Sequence, residues 1–399
     1  MKKIIVLIIA IFTINIANAQ WQQTCLDSTL VQVLAINGNN IFAGTAGYGV
    51  YLSTNNGSNW ISINNGLPAN SYITAFAFTG NNIFTATNGG VYLSTNNGNS
   101  WVTMNNGIPT DFAVSSLAII GNNIFAGGYE GVYLSTNNGN NWAAVNTGLP
   151  TGIWVNSLAV NGNNIIAGAY EFGGVYLSSN YGSNWLTVNN GISDSLNVTT
   201  VSVIGNNFFA ATPLEGIYLS TDNGNNWNSV DNGLPLGTNY LSIISSGNSI
   251  FAGSSGSLEP SVFGVYLSTN NGSSWNAVNT GLLDTNVWTL AVDNNYIYAG
   301  TYSHGVWRRP LSEFPSGIKE NNLNNNVSIY PNPTKDNLTI ETNSNTQQRI
   351  EIINLIGQTI YTNIINKKAT INTSAFANGL YILKLSSDKE TVVRKFIKE

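Results

Sequence analysis

Four glutamates recur at similar places in successive segments of this 399-residue chain. Each stands in a short loop between apolar stretches, and the four are Glu130, Glu171, Glu215 and Glu259. Carboxylates accept hydrogen bonds from hydroxyl groups, and two carboxyls about 5–9.5 Å apart can cleave a glycosidic bond as acid and base. They can also attract a basic peptide. The simpler alternative is that single loop carboxylates keep the surface soluble.

Aromatic residues accompany these glutamates in the same loops and in loops that lead into neighbouring strands. Exposed rings stack on the apolar faces of sugars and attract cations. The carboxylates and rings together predict a surface for a glycan or a protein ligand, with Tyr129, Tyr170, Phe172, Trp154, Trp288 and Tyr302 beside the four glutamates. No residue is assigned a catalytic role at this stage.

The elements that hold these loops come from a repeated phrase, Gly-Asn-Asn-Ile-Phe-Ala-Gly or a close variant. Its seven copies begin at Gly38, Gly80, Gly121, Gly162, Gly205, Gly247 and Asn294. Each copy lies within four short apolar stretches, and a period of about 40–45 residues with four strands is typical of a β-propeller blade. The sequence predicts an all-β fold, a seven-bladed β-propeller over residues 20–314. The candidate loops should then surround one mouth of its central channel.

The seventh unit lacks a fourth strand, because the chain reaches Arg308-Arg309-Pro310 directly after the third. Residues 21–25 begin with Trp21 and resemble the start of a fourth strand, Trp60-Ile61-Ser62. We therefore expect residues 21–25 to supply the missing strand and to join the two ends of the ring.

A second phrase, Ser-x-Asn/Asp-x-Gly-x-x-Trp, separates the third and fourth strands. Short side chains that bond to backbone N–H groups and a glycine at positive φ make this a stapled turn. The phrase resembles the Asp-box (BNR repeat) of sialidase-like propellers, although five of the six copies carry Asn and one carries Asp222. The resemblance implies a structural role, away from the ligand face, for Trp60, Trp101, Trp142, Trp185, Trp227 and Trp275.

Charge excludes several functions. No Lys or Arg occurs between Ile4 and Trp307, a stretch that holds 11 carboxylates. Nucleic-acid binding requires cations that neutralise phosphates, so it is not expected. Sialidases, by resemblance, bind the sialic acid carboxylate with three arginines, and this propeller has none. Sialidase activity is therefore not expected either.

The sequence also lacks the residues needed for a zinc site or a disulfide. One histidine, His304, cannot form a multi-histidine zinc site, and we expect it to be a solvated loop residue. One cysteine, Cys25, cannot form an internal disulfide, and we expect it to be packed as a small apolar residue. No cofactor or metal site is predicted, although calcium binding through Asn and Asp oxygens stays open.

The N-terminus predicts export. Met1-Lys2-Lys3 precedes an apolar run and the small residues Ala17-Asn18-Ala19, which is the pattern of a secretory signal peptide over residues 1–19. The run is too short to span a membrane, and no later segment supplies a transmembrane helix.

The C-terminus predicts a separate module. A polar linker, residues 315–326, leads to residues 327–399, which hold nine of the 14 Lys and Arg residues. Alternating strands favour a small Ig-like β-sandwich. Four phrases occur in order: Ser328-Ile329-Tyr330-Pro331-Asn332-Pro333, Asn354-Leu355-Ile356-Gly357-Gln358, Gly379-Leu380-Tyr381-Ile382-Leu383-Lys384 and Lys395-Phe396-Ile397-Lys398. They resemble the type A sorting domain of the type IX secretion system. The resemblance implies transport by that machinery across the outer membrane, followed by release or attachment at the surface.

Three functions remain open from the sequence. The first is a non-catalytic secreted or cell-surface protein that binds a glycan or protein through the loop face. The second is a glycoside hydrolase or lyase that uses paired rim carboxylates, and the third is a purely structural repeat protein. The near-identity of the repeats favours the non-catalytic hypotheses, because a catalytic centre normally breaks such symmetry.

Overall fold

The structure is a computed structural model. It describes residues 20–399 apart from 111, 171–172, 194–195, 214, 236, 257–262, 315–326, 343–346, 355–357 and 388–390. The proposed signal peptide and the linker therefore lie outside the described residues. The chain divides into two compact units, Met1–Gly317 and Ile318–Glu399. The described part of the chain contains one 3₁₀ turn, Leu311–Glu313, and otherwise only strands.

The first unit consists of seven antiparallel sheets of four strands each, which confirms the predicted all-β propeller. The inner strands are Val31–Asn37, Ile73–Thr79, Val114–Ile120, Trp154–Asn161, Thr200–Ile204, Asn239–Ser246 and Val287–Val292. Each inner strand contacts the inner strand of the next sheet, and the seventh contacts the first. The ring of sheets is therefore closed.

The remaining strands run outward from the inner ones. The second strands are Asn40–Thr45, Asn82–Thr87, Asn123–Gly128, Asn164–Tyr170, Asn207–Thr212, Ser249–Ser255 and Tyr296–Thr301. The third strands are Val50–Ser53, Gly90–Ser94, Gly131–Ser135, Val175–Ser178, Gly216–Ser220, Gly264–Ser268 and Val306–Pro310. The outer strands, each of two residues, are Ile61–Ser62, Val102–Thr103, Ala143–Ala144, Leu186–Thr187, Asn228–Ser229, Asn276–Ala277 and Gln22–Gln23.

The outer strand of blade seven comes from the other end of the chain. Gln22 pairs with Arg308 and Gln23 pairs with Trp307, so the first strand of the chain completes the last sheet. The hydrophobic core lies between blades rather than within them. Phe42 of blade one, for example, packs with Ile83 and Trp101 of blade two. Each blade thus buries its apolar face against a neighbour.

The second unit is a two-sheet sandwich. One sheet contains Val327–Tyr330, Asn337–Thr342 and Lys368–Asn372, and the other contains Thr359–Ile365, Gln348–Ile353, Gly379–Ser386 and Thr391–Lys398. Its core includes Ile340 from the first sheet and Ile350 and Phe396 from the second.

Two of the four C-terminal phrases meet in space. The backbone N–H of Ile397 donates to Asn332 Oδ1 at 2.9 Å, and the N–H of Thr334 donates to the carbonyl of Ile397 at 2.8 Å. The segment after the first strand of this unit therefore covers the edge of its terminal strand.

Candidate functional site

The seven outer-strand tryptophans form a continuous ring of contacts between blades. Trp101, Trp142, Trp185, Trp227, Trp275 and Trp21 each donate the indole N–H, at 2.7 Å, to a backbone carbonyl of the preceding blade. Trp60 differs, because its indole donates to Thr24 Oγ1 at 3.2 Å. The Trp residues at these positions hold adjacent blades together.

The turn before each of these tryptophans is stapled as its composition suggests. In the first copy, Ser53 Oγ accepts the N–H of Gly57 at 2.9 Å, and Asn55 Oδ1 accepts the N–H of Asn59 at 2.9 Å. In the copy with a carboxylate, hydrogen bonds from the side chain and backbone of Asn226, and then from Ser220, lower the pKa of Asp222. The likeness to the Asp-box remains a resemblance.

The other end of the propeller contains the mouth of the channel. In six blades the register between inner and second strands shifts by one residue, which is a β-bulge. The residues left unpaired there are Gln32, Thr74, Ser115, Asn156, Leu241 and Trp288, and all six line one cavity. Thr199 lines it from blade five. The bulges thus place one side chain from each of six blades around the channel.

This cavity has a volume of about 530 Å³ and is lined by residues of all seven blades. The size lies within the range of small-molecule binding pockets. Its described lining includes the side chains of Trp154 and Trp288, with Ser, Thr, Asn and Gln between them, and no charged group. The described lining is therefore uncharged and mixes polar groups with apolar and aromatic surface.

Two aromatic groups stand at this mouth, on blades far apart in the ring. Trp154 lies between Tyr129 and Tyr170, with ring centroids 6.2 and 6.5 Å away and edge-to-face geometry. Trp288 of blade seven packs on Tyr302, with centroids 6.1 Å apart. The three tyrosines are between 41% and 50% exposed, whereas the two indoles are partly buried. Each indole is thus positioned by an exposed tyrosine.

Hydrogen bonds fix the bulge residues on one side of the channel. Thr74 Oγ1 donates to the carbonyl of Val114 at 2.6 Å, and Trp154 Nε1 donates to Ser115 Oγ at 2.8 Å. Asn156 Nδ2 donates to the carbonyl of Thr199 at 2.6 Å. Thr199 Oγ1 then donates to the carbonyl of Tyr240 at 2.8 Å. Blades two to six are therefore joined around the mouth.

The other side of the channel is not satisfied in this way. Buried side-chain atoms without a hydrogen-bond partner among the described residues include Gln32 Oε1 and Trp288 Nε1, and also Ser116 Oγ in blade three. Thr29 Oγ1 and Asn286 Oδ1, just before the inner strands of blades one and seven, are also buried without a hydrogen-bond partner among the described residues. Leaving a buried polar group unpaired costs about 1–3 kcal/mol, so such groups call for an explanation.

The two candidate glutamates that the structure describes lie away from this lining. Glu130 and Glu215 are exposed and do not line the cavity. Glu130 adopts a φ of 68°, and its backbone carbonyl accepts a hydrogen bond from Asn146 Nδ2 at 3.0 Å. Glu215 Oε2 accepts a hydrogen bond from Tyr218 at 3.4 Å. The candidates Glu171, Phe172 and Glu259 lie outside the described residues.

One carboxylate near the mouth supports a loop. Asp284 is buried, and its Oδ2 accepts the backbone N–H groups of Ser303 and His304 at 2.8 and 3.1 Å. The same oxygen lies 3.3 Å from His304 Nδ1, and the His304 side chain is 55% exposed. Asp284 therefore fixes the loop that carries Tyr302. His304 is solvated, but it has a carboxylate partner that its sequence position did not predict.

The described residues contain no group of three His, Cys, Asp or Glu side chains that could hold a metal ion.

The expectation for Cys25 was wrong, since its side chain is exposed rather than packed. It lies just beyond the closing outer strand, where the N–H of Cys25 bonds to Gly57 at 3.3 Å while its side chain faces outward. Within the described part of the chain, no helix has the length and apolar character needed to cross a membrane.

The bulge residues of the cavity were not among the sequence candidates, apart from Trp288. A signal for them exists, because each follows an apolar residue that is almost fully buried, such as Val31 before Gln32 or Val155 before Asn156. In blades one to four, a polar residue directly after that buried apolar residue marks the bulge in the sequence. Strand alternation alone would have placed it in the wall between blades.

Two family models match the chain. Residues 328–399 match the secretion system C-terminal sorting domain, and residues 18–157 match the DUF6242 beta propeller domain. The protein therefore carries a β-propeller followed by a type IX secretion sorting domain. The sorting domain directs it to the extracellular or cell-surface space. No curated protein matches the chain in sequence.

Solved structures show the same fold at low identity. YCF48 bound to the D1 peptide matches with 13% identity and a TM-score of 0.58, covering 75% of this chain and 97% of that one. YCF48 from Cyanidioschyzon merolae matches with 15% identity and a TM-score of 0.55, covering 74% and 99%. The GH74 xyloglucanase from Xanthomonas campestris matches with 14% identity and a TM-score of 0.60, covering 82% of this chain and 60% of that one. Such likeness concerns the fold alone.

Proposed function

We propose that this protein is a non-catalytic binding protein, exported by the type IX secretion system, that takes an extracellular glycan or protein ligand at the mouth of its propeller channel. The observation that carries the proposal is the shared cavity of Trp154 and Trp288, two indoles from distant blades. Partly buried aromatic residues beside unpaired polar groups are characteristic of ligand pockets.

The repeat symmetry of the molecule supports this choice over a purely structural role. Six bulge positions carry five different polar or aromatic residues and a leucine, whereas the outer tryptophans and stapled turns are nearly invariant from blade to blade. The blades are thus alike where they hold one another and unlike where they face the channel. An asymmetric ligand can be recognised only if the blades present different side chains to the channel mouth.

Hydrolysis has less support. A glycosidase needs two carboxyls flanking the scissile bond, and none of the described residues that line the cavity is a carboxylate. The xyloglucanase among the structural neighbours shares the fold at 14% identity. A YCF48 propeller with a bound peptide illustrates that this fold also serves binding.

The test is a screen of the purified protein against immobilised oligosaccharides and peptides, combined with an assay for reducing ends. Binding that is lost on Trp154→Ala or Trp288→Ala, without turnover, supports the proposal. Tyr181→Asn is a matched control, because Tyr181 is an exposed ring on the opposite turns and the other blades carry Asn there. Turnover that disappears in Glu130→Gln or Glu215→Gln would overturn the non-catalytic assignment.

A further inference from the structure

We infer that the ligand presents a neutral saccharide unit, and that this unit sits off-centre in the channel, against blades six, seven and one, on the Trp288 ring. The inference rests on the proposed function and specifies its ligand and its subsite.

The two sides of the mouth differ in how their polar side chains are paired. On blades two to five, the bulge side chains Thr74, Ser115, Asn156 and Thr199 are engaged in hydrogen bonds within the protein. On blades six, seven and one the equivalent residues are Leu241, Trp288 and Gln32. Leu241 has no polar group, and Trp288 Nε1 and Gln32 Oε1 have no partner among the described residues. Among the described bulge residues, unpaired polar atoms therefore occur on the adjacent blades seven and one, beside the apolar Leu241 of blade six. Ser116 Oγ of blade three is a further unpaired atom in the lining.

The unpaired groups on blades seven and one are of both hydrogen-bonding types. Trp288 Nε1 is a donor and Gln32 Oε1 is an acceptor. Both atoms are buried as well as unpaired, so a ligand reaches them only when the Gln32 and Trp288 side chains rotate towards the cavity. A hydroxyl group both donates and accepts, so the hydroxyls of a sugar ring can then satisfy both atoms. Leu241 and the Trp288 ring offer apolar surface beside them, which suits the C–H face of a sugar. This combination of a flat ring with mixed donors and acceptors matches a saccharide.

The absence of charge from the described lining favours a neutral ligand. The described lining of the cavity holds neither a carboxylate for a basic peptide nor a cation for an acidic sugar. The nearby carboxylate of Asp284 is already engaged by the loop N–H groups of Ser303 and His304. Residues 4–307 contain 11 carboxylates and no Lys or Arg, which disfavours an anionic ligand further. A neutral ligand meets none of these penalties.

The experiment is isothermal titration of the purified protein with three sets of probes. The first set is neutral disaccharides and trisaccharides of glucose, galactose, mannose and xylose, the second is a uronic acid disaccharide, and the third is basic and neutral peptides. We expect binding from the first set alone. Trp288→Ala and Gln32→Leu should each weaken the saccharide at least tenfold, and Tyr181→Asn should leave it within twofold.

A conservative variant separates recognition from folding. Trp288→Phe keeps an aromatic ring but removes the donor, so it should bind more weakly than the parent and more tightly than Trp288→Ala, with an unchanged circular dichroism spectrum. Binding of peptides alone, or saccharide binding that Trp154→Ala abolishes while Gln32→Leu and Trp288→Phe do not alter it, overturns this inference and leaves the channel-mouth function standing. Saccharide binding that none of the channel variants affects overturns both, as does an absence of binding by every probe.

Discussion

The indole N–H of Trp21 donates a 2.7 Å hydrogen bond to the carbonyl of Val278, 257 residues further along the chain. The backbone N–H of Trp21 bonds to Thr280 at 2.9 Å in the same region. These bonds repeat the contact that every other outer tryptophan except Trp60 makes with its preceding blade. The N-terminal strand thus closes the propeller with the same chemistry that joins its internal blades.

Removal of this closing side chain should destabilise the propeller strongly. Trp21 is 2% exposed, and truncating a buried tryptophan to alanine costs about 3–5 kcal/mol. We expect Trp21→Ala to lower the free energy of unfolding by that amount in urea denaturation. Trp60→Ala is the matched control, because Trp60 is partly buried and bonds to a side chain instead of the backbone. An equal loss in both variants would contradict the closing role of Trp21.

The glycine that follows six of the seven outer strands should tolerate no side chain. Gly66 has a φ of 93°, and a Cβ built on it would collide with the backbone carbonyl oxygen of Trp101 in the next blade. We expect Gly66→Ala to destabilise the fold by about 2 kcal/mol or more. Gly80→Ala, at a positive φ but in open space, should cost only the backbone strain of about 1–2 kcal/mol, less than Gly66→Ala. Thermal unfolding of the pair measures the difference, and similar melting temperatures would refute the collision.

Two buried tyrosines predict the alkaline limit of stability. Burial raises the pKa of Tyr240, and burial together with a hydrogen bond to Asp293 raises the pKa of Tyr298. A tyrosine whose pKa is raised in the folded state contributes its full stability below the pKa of the unfolded state, about 10. This contribution is lost as the pH rises further, because the unfolded tyrosine loses its proton more readily than the folded one. We expect stability to fall above about pH 10. Tyr298→Phe should flatten this decline, and absorbance titration should show both hydroxyls ionising only on unfolding.

The single aspartate of the stapled turns should be replaceable. Five of the six turns carry Asn at this position, and the remaining turn carries Asp222. Because the pKa of Asp222 is lowered in the fold, its contribution is present above the unfolded pKa and is lost as the pH falls through the folded value. Asp222→Asn should shift the melting temperature at pH 7 by less than about 2 °C. It should also remove the acid dependence that this carboxylate contributes, and a large loss at pH 7 would contradict the equivalence of the turns.

Much of the fold could be predicted from the sequence because each blade repeats the same local signals. Asn-Gly hairpins and Gly-stapled turns mark the strand ends, and the phrase at Trp21 resembles the one at Trp60. The sequence does not show how short the outer strands are, since regular pairing covers only two residues in each, as in Ile61–Ser62. The side chain of each following residue, such as Ile63, turns inward to the core instead.

The candidate site was predicted less completely, for physical reasons. Exposed rings such as Tyr129 and Tyr302 could be placed at the mouth from their loops alone. The cavity lining could not, because it depends on bulges that rotate Gln32 and Thr74 from the blade wall into the channel. Hydrogen bonds between distant segments, such as Asn156 to Thr199, then decide which side chains remain free to bind a ligand.

The crystal structure of the protein with a ligand recovered from the binding screen tests the central claim most directly. The account predicts ligand density in the cavity between Trp154 and Trp288, with a ring stacked on Trp288 and hydroxyl groups near Gln32 Oε1. Density on the stapled turns around Tyr181, or on the outer tryptophans, with an empty channel mouth would contradict it.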